Sequence, residues 1–269
     1  MLFFNRKKNT REMKVERNTL SRRAEILELL QEKGDVSVLV LSDKYKISEV
    51  SIRNDLAHLE KKGLLIRTRG GAIKAQPVNF DLSLNQRLKT NYKEKQRIGK
   101  KAIEYIQDNY TIVMDNGSTT LEVARNLNGF KNLKLITNSL PIADLVADFP
   151  NIDVIVPGGE MRAEMRSLVG SMAEKSILNY HCDIAFLGTD GIHPDMGIST
   201  PQIEEAALSE KMIQIANQVI VVSDSSKFGR KSFVKFGEMS DVDIIITDKK
   251  IGEDDLNQYA DFPVEIIVV

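Results

Sequence analysis

A chain of 269 residues, 42% hydrophobic and 28% charged with a single cysteine, has the composition of one large or two ordinary globular domains. Cys182 alone makes neither an intramolecular disulfide nor a structural zinc site, and no apolar run reaches the length of a membrane span. The net charge of −1 conceals a division, with 17 Lys+Arg against 10 Asp+Glu through Gln76 and 20 against 28 after it. A basic head on an acidic body suits a head that meets phosphates, although a solvated charged surface would carry the same charges.

Residues 1–18 are polar and basic (Arg6, Lys7, Lys8, Arg11, Lys14, Arg17) and read as a flexible leader, with Met13 an alternative start. Met1-Leu2-Phe3-Phe4 is too short for a signal-peptide core and is followed by basic residues rather than preceded by them, so a cytoplasmic protein is expected. A first helix should begin at an Asn18–Thr19 cap, bury Ile26, Leu27, Leu29 and Leu30, and stop at Gly34. Ser37 can cap a second helix carrying Val38, Leu41 and Tyr45 inward; Ser48 can cap a third, which Gly63 ends. In the third helix Ile52, Leu56 and Leu59 form a core stripe, leaving Glu49, Ser51, Arg53 and Asn54 to project from its first two turns.

Those types suit a recognition helix: arginine forks onto guanine, asparagine onto adenine, and serine donates to a phosphate or base. Asp55 would repel phosphate there, so it is expected to orient Arg53 or a neighbouring basic residue. Arg67, Thr68 and Arg69 precede Gly70-Gly71 on a hairpin, placed for backbone or minor groove. The whole reads as a winged helix-turn-helix over residues 19–76, with DNA favoured over a protein partner.

Residues 77–95 read as a linker and connecting helix: Pro77 to Ser83 breaks the pattern, and a charged helix should run from Leu84 to Gln107. The body, residues 96–269, alternates short β-branched runs with helical stretches. The runs are Thr111–Met114, Leu133–Thr137, Ile152–Val156, Asp183–Leu187, Gln218–Val222, Val242–Thr247 and Val264–Val268. Near-continuous apolar strands between helices predict an α/β domain with a mostly parallel sheet covered on both faces. Most of these strands end in small, polar or acidic residues, and in such a sheet those loops share one edge where ligands bind.

The turn Gly117-Ser118-Thr119-Thr120, running into a helix Leu121–Leu127, is a natural phosphate seat, and Lys227 could add positive charge. Asp115 and Asp190 suit sugar hydroxyls. Together these point to a phosphorylated polyol or sugar. For any one such turn, plain strand-to-helix geometry is the favoured reading; the set favours a ligand. Of the adjacent pair Glu204-Glu205, at most one can face that ligand, where a carboxylate could also act as a base. Arg162 and Arg166 at i, i+4 read as a solvated face, His181 and His193 as surface histidines, and Cys182 as a buried structural thiol. No metal-spaced cluster and no cofactor motif is present in the sequence.

Two motif sets together resemble one family. The head carries Ser51-Ile52-Arg53-Asn54-Asp55-Leu56, Leu59-Glu60, Gly63 and Arg67-Thr68-Arg69-Gly70-Gly71-Ala72. The body carries Asp115-Asn116-Gly117-Ser118-Thr119-Thr120, Thr137-Asn138, Gly158-Gly159, Gly188-Thr189-Asp190-Gly191-Ile192, Glu205-Ala206 and Asp224-Ser225-Ser226-Lys227-Phe228. Across residues 19 to 269 the chain is similar to DeoR-family bacterial transcription regulators, nearest to members controlling amino-sugar or N-acetylgalactosamine use. The resemblance implies a repressor of a carbohydrate operon, released by a phosphorylated sugar, with a body similar to ribose-5-phosphate isomerase. In that enzyme the loop matching Gly188–Gly191 carries further acidic residues; Gly191 stands where a carboxylate is expected, which favours binding without turnover.

The expected DNA-facing set is therefore Ser37, Ser48, Ser51, Arg53, Asn54, Arg67, Thr68 and Arg69. The expected effector set is Asp115, Gly117, Ser118, Thr119, Thr120, Asn138, Gly159, Asp190, Glu205 and Lys227. A dimer or tetramer should read repeated half-sites. A phosphosugar isomerase with a DNA-binding head, or an activator, are the alternatives.

Overall fold

A computed structural model describes residues 19, 21–30, 32–61, 64–68, 70–74 and 82–269. The expected leader, the Asn18 cap, the Gly63 stop, Arg69 and the Pro77 break lie outside the described residues. The chain divides into two compact units, Met1–Pro77 and Val78–Val269.

In the first unit, α1 (residues 21–30), β1 (Asp35–Ser37), α2 (Val38–Tyr45) and α3 (Glu49–Lys61) precede the hairpin β2 (Leu65–Thr68) and β3 (Gly71–Lys74). The strands form an antiparallel sheet in the order β1-β3-β2. Ile26 and Leu30 of α1, Val38 and Leu41 of α2, and Ile52, Leu56 and Leu59 of α3 close one core under Leu65 and Ala72 of the wing. Each such aliphatic side chain contributes about 1.5–3 kcal/mol on leaving water. Gly71 is fixed by close approach: a Cβ there would lie 1.7 Å from the Val36 carbonyl oxygen.

The second unit opens with α4 (Leu84–Lys89) and α5 (Tyr92–Ala102), two helices where the charge pattern predicts one running to Gln107. The chain turns at Asn91, whose φ of 50° asparagine tolerates better than most residues. There follow β4 (Thr111–Met114), α6 (Ser118–Ala124), β5 (Leu133–Thr137), α7 (Leu140–Ala147) and β6 (Ile152–Ile155). After a hairpin of β7 (Glu160–Arg162) and β8 (Ser167–Val169) come α8 (Ser171–Ile177), β9 (Cys182–Leu187), β10 (Gly191–His193), β11 (Gly197–Thr200), α9 (Ile203–Gln214) and β12 (Ala216–Val222). The unit closes with β13 (Val234–Gly237), β14 (Ile244–Thr247), α10 (Glu253–Asn257) and β15 (Glu265–Val268).

All seven expected strands join one parallel sheet in the order β15-β14-β12-β9-β4-β5-β6. Strand residues alternate between two cores: Ile112, Met114, Ile184 and Phe186 face α5 and α7, while Val113, Ala185 and Leu187 face α8 and α9. Burial on both faces is why the central runs are nearly continuous apolar stretches. The chain runs β4, β5, β6 to one side and then returns to place β9 against the other side of β4. The sheet's topological switch point therefore lies between β4 and β9.

Two features escaped the sequence pattern. The hairpin β7–β8 and the small sheet β10-β11-β13 are built from strands of three or four residues, too short to show alternation. Gly99 on α5 has a packing reason, since a Cβ there would meet the Glu122 carbonyl oxygen at 2.5 Å. α5 and α6 thus touch backbone to side, which glycine permits.

Candidate nucleic-acid interface and ligand cavity

In the head, Ser48 caps α3: its Oγ accepts the Ser51 N–H at 3.2 Å and lies 3.0 Å from Ser51 Oγ. Both hydroxyls therefore organise the first turn rather than standing free toward DNA. Ser37 is at the N-cap of α2 without a side-chain capping bond, and its backbone pairs with Gly71. It lies off the recognition helix, at the start of α2. Arg53 and Asn54 are exposed on α3, and Arg53 reaches Glu49 at 3.4 Å.

Arg67 and Thr68 are exposed on β2, where Glu60 receives the Arg67 backbone N–H at 2.9 Å and pairs with its guanidinium at 3.3 Å. This ties the wing to the end of α3, and Arg53, Arg67 and Thr68 line one small cleft. Asp55 is buried and accepts from Arg22 Nε at 2.6 Å and Arg23 Nε at 2.7 Å. The basic residues it orients are thus on α1, and it fastens α1 to α3.

In the body, the loops after β4, β9 and β12 converge on a cavity at the switch point. Asp115, Asn116, Gly117 and Ser118 come from the first, Gly188, Thr189 and Asp190 from the second, and Asp224, Ser226 and Lys227 from the third. Thr200, Glu205 and Ser209 close another side, with Met165 and Phe236 as apolar wall. α4 and α5 add Arg87, Thr90 and Lys95, which the sequence reading missed because they lie in the expected connecting helix.

The electrostatics are concentrated on Asp190. Arg87 grips its carboxylate with two bonds of 3.0 Å, and Lys227 Nζ lies 3.0 Å from the same oxygen that NH1 meets. Burial pushes the Asp190 pKa up, but Lys227 and Arg87 outweigh it and hold the group at about 2. Lys95, 5% exposed, donates to the Arg87 carbonyl at 2.7 Å. Burial lowers its pKa to about 8, with Asp224 opposing and Lys227 and Arg87 adding to the fall. Arg230 is also pushed down by burial, with Asp190 and Asp224 opposing. Asn91 donates to Asp224 at 2.8 Å, fixing the α4–α5 corner to the loop after β12.

Asp115 lines the cavity with both of its carboxylate oxygens hydrogen-bonded within the loops. Oδ1 accepts from the Gly117 N–H and Thr120 Oγ1 at 3.0 and 2.9 Å, and Oδ2 from the Gly188 N–H at 2.6 Å. It stitches the two switch-point loops together, and burial raises its pKa against those bonds. The helix after this turn begins at Ser118, three residues earlier than the sequence suggests, so Gly117 and Ser118 line the cavity while Thr119 and Thr120 are buried beside it.

Asn138 and Gly159 fall outside the cavity lining. Asn138 donates to the Leu168 carbonyl at 3.0 Å, and a Cβ on Gly159 would meet the Val169 carbonyl oxygen at 2.5 Å, so both serve the packing of the β7–β8 hairpin. Arg162 is not a solvated residue. It pairs with Glu205 inside the body, and Asn116 donates to the same Glu205 oxygen at 2.7 Å; Arg162 and Arg166 sit on a hairpin, not a helix. Glu204 is exposed and Glu205 buried. Cys182 is buried, and burial pushes its thiol up to about 12, an inert form. Among the described residues no group could hold a metal ion, and no helix is long and apolar enough to cross a membrane. A side chain at Gly191 would run into the Arg230 carbonyl oxygen and Ser199 Oγ, both at 2.6 Å.

Both units match known domains. Residues 22–78 match a DeoR-like helix-turn-helix domain, and residues 90–249 match a DeoR C terminal sensor domain. The chain is 36% identical to a protein assigned as the aga operon transcriptional repressor of Escherichia coli O157:H7, over 93% of this chain and 94% of the relative. It is 35% identical to the HTH-type transcriptional repressor GlcR of Bacillus subtilis strain 168, over 83% of this chain and 86% of that one. The glycerol-3-phosphate regulon repressor of Escherichia coli K12 is 32% identical over 83% of this chain and 88% of its own. A solved D-ribose-5-phosphate isomerase in complex with phospho-erythronic acid aligns with a TM-score of 0.38 at 17% identity, covering 51% of this chain and 53% of that one.

Proposed function

The chain belongs to the DeoR family of transcription regulators by both of its domains, and from that premise we propose that it represses a carbohydrate operon, amino-sugar utilisation foremost, until a phosphorylated sugar releases it. The observation that carries the ligand class is the set of cations around Asp190. Arg87, Lys227 and Lys95 are gathered at the switch-point end of the sheet beside Gly117 and Ser118. Such a set suits a phosphate dianion, and an arginine fork matches two of its oxygens. Asn116, Glu205, Thr200 and Ser209 line the same cavity with donors and acceptors for sugar hydroxyls or an acylated amine. The curated relatives named for the aga operon and the glycerol-3-phosphate regulon support a phosphorylated carbon source.

The body binds this ligand and does not turn it over. Gly191 has no room for a carboxylate, Asp115 is enclosed by loop amides, and Asp190 is held by two cations. Arg53 and Asn54 read bases, with Arg67, Thr68 and Arg69 on the backbone; the protein acts in the cytoplasm as a dimer or tetramer on repeated half-sites. Release follows if the ligand binds one arrangement of the heads better than another. Arg87 and Lys95 sit on α4 and α5, the first elements of the body after the head in sequence, so a ligand that takes Arg87 from Asp190 acts on the segment that follows the head along the chain.

A thermal-shift screen of sugar phosphates followed by an operator gel shift tests this. A ligand should raise the melting temperature of the protein and release DNA, and Lys227→Ala should keep operator binding while losing release. Release of Lys227→Ala at the wild-type ligand concentration would remove that role.

A further inference from the structure

The recognition helix has two stripes. Ile52, Asp55, Leu56 and Leu59 face inward, all buried. Val50, Arg53, Asn54 and Ala57 occupy the opposite register at i, i+3, i+4 and i+7, and Val50, Arg53 and Asn54 are exposed. Val50 stands out among them. Its side chain is 66% exposed in the first turn of α3, one turn from Arg53, whose side chain is 51% exposed. Leu39 and Val40 on α2 are similarly exposed, at 67% and 63%, and scattered exposed aliphatic residues are ordinary on a protein surface. Val50 shares its stripe with the two residues best suited to read purine edges, on the helix turn that enters the groove first. A β-branched residue at an exposed helical position is favoured neither by helix propensity nor by core packing.

We propose that Val50 reads the 5-methyl group of a thymine in the major groove, beside the bases contacted by Arg53 and Asn54. Among base edges in that groove, only thymine presents an apolar group, and a branched aliphatic side chain covers it. Val50 is then a specificity-determining residue that selects A·T pairs at one position of each half-site. The inference rests on the DNA-binding reading of the head.

The test uses the full chain to select duplexes from a random library and then replaces each thymine of an enriched duplex by deoxyuridine, one at a time. Wild-type protein should lose about fourfold in affinity at one thymine per half-site, the worth of one buried methyl group. Val50→Ala should bind thymine and deoxyuridine alike at that position while keeping its preferences elsewhere. Val50 is exposed and alanine favours the helix, so the variant keeps its fold. Equal discrimination by Val50→Ala and wild type, or no discrimination by wild type at any thymine, overturns the proposal while the DNA-binding reading stands. Failure to enrich any sequence removes that reading and the inference with it.

Discussion

Arg87 and Asp190 meet as two planar forks, NH1 against Oδ1 and NH2 against Oδ2, each pair 3.0 Å apart. Lys227 completes the contact at 3.0 Å from Oδ1. An arginine binds a phosphate by the same fork, so Asp190 occupies for the cavity's cations the role that a ligand anion would take over. The ion pair holds the α4 segment against the loop after β9, and a ligand phosphate would compete for the same guanidinium.

Asp190→Asn should therefore destabilise the body by about 3 kcal/mol, because Arg87 and Lys227 are left near one another without their carboxylate. Inorganic phosphate at fixed ionic strength should stabilise this variant more than wild type, since no internal anion competes. Calorimetric melts with and without phosphate check both statements. In wild type the sign with pH follows from a depressed carboxylate pKa. Its stabilisation is complete above about pH 4, the ordinary value, and is lost as pH falls toward the folded value of about 2. Equal phosphate stabilisation of both proteins would count against the exchange.

Lys95 gives the ligand a pH dependence of opposite sense. Its folded pKa is about 8, below the ordinary lysine value, chiefly through burial. Its charged form thus costs stability below about pH 8, and the cost is relieved as pH rises toward about 10.4. A phosphate dianion restores the charged form, so binding should take up a proton between about pH 8 and 10, with affinity falling up to about tenfold per unit there. Titration calorimetry near pH 9 in two buffers of different ionisation enthalpy measures that uptake. Lys95→Gln should abolish it and weaken binding at pH 7; unchanged proton uptake in the variant would assign it elsewhere.

The sheet was legible because its central strands are buried on both faces and so write themselves as apolar runs, as in Ile244–Thr247. The loops after β4, β9 and β12 were legible for the same reason, since a parallel sheet brings its strand ends to one edge. Arg87 and Lys95 were not. They lie on helices whose charged faces look solvated in sequence, and only the turn at Asn91 folds them over the cavity. Arg162 escaped because β7 is three residues long and shows no period. Ser48 reads as the cap of α3 and Ser51 as a residue projecting toward DNA, and the structure joins the two hydroxyls at 3.0 Å in the first turn of the helix.

Gly99→Ala should loosen the site without touching a ligand. Helix propensity alone would make alanine the better residue by about 1 kcal/mol. The added methyl, however, falls 2.5 Å from the Glu122 carbonyl oxygen, so α5 must move from α6. Overpacking of this kind costs about 1–3 kcal/mol. Lys95 rides on α5 and Ser118 opens α6, so ligand affinity should fall together with stability. Denaturant melts and a ligand titration of the same variant check the pairing, and a stabilised protein with normal affinity would show that the helices separate freely.

Arg53 and Asp55 lie two residues apart on α3 and should fail in different ways. Arg53→Ala removes an exposed side chain from the outward stripe and should cost about 1–3 kcal/mol on the selected sequence while sparing binding to unrelated duplex. Asp55 is 2% exposed and joins two arginines of α1. Asp55→Ala leaves both guanidiniums without their buried partner, at a cost of about 3 kcal/mol to the head. Its amides should exchange faster with solvent, and specific and non-specific DNA should lose affinity together because the folded reading surface is depleted. Amide exchange alongside two-duplex gel shifts separates the variants. If Asp55→Ala kept wild-type protection and lost only the selected sequence, Asp55 would act on bases through Arg53 and not through the α1–α3 clasp.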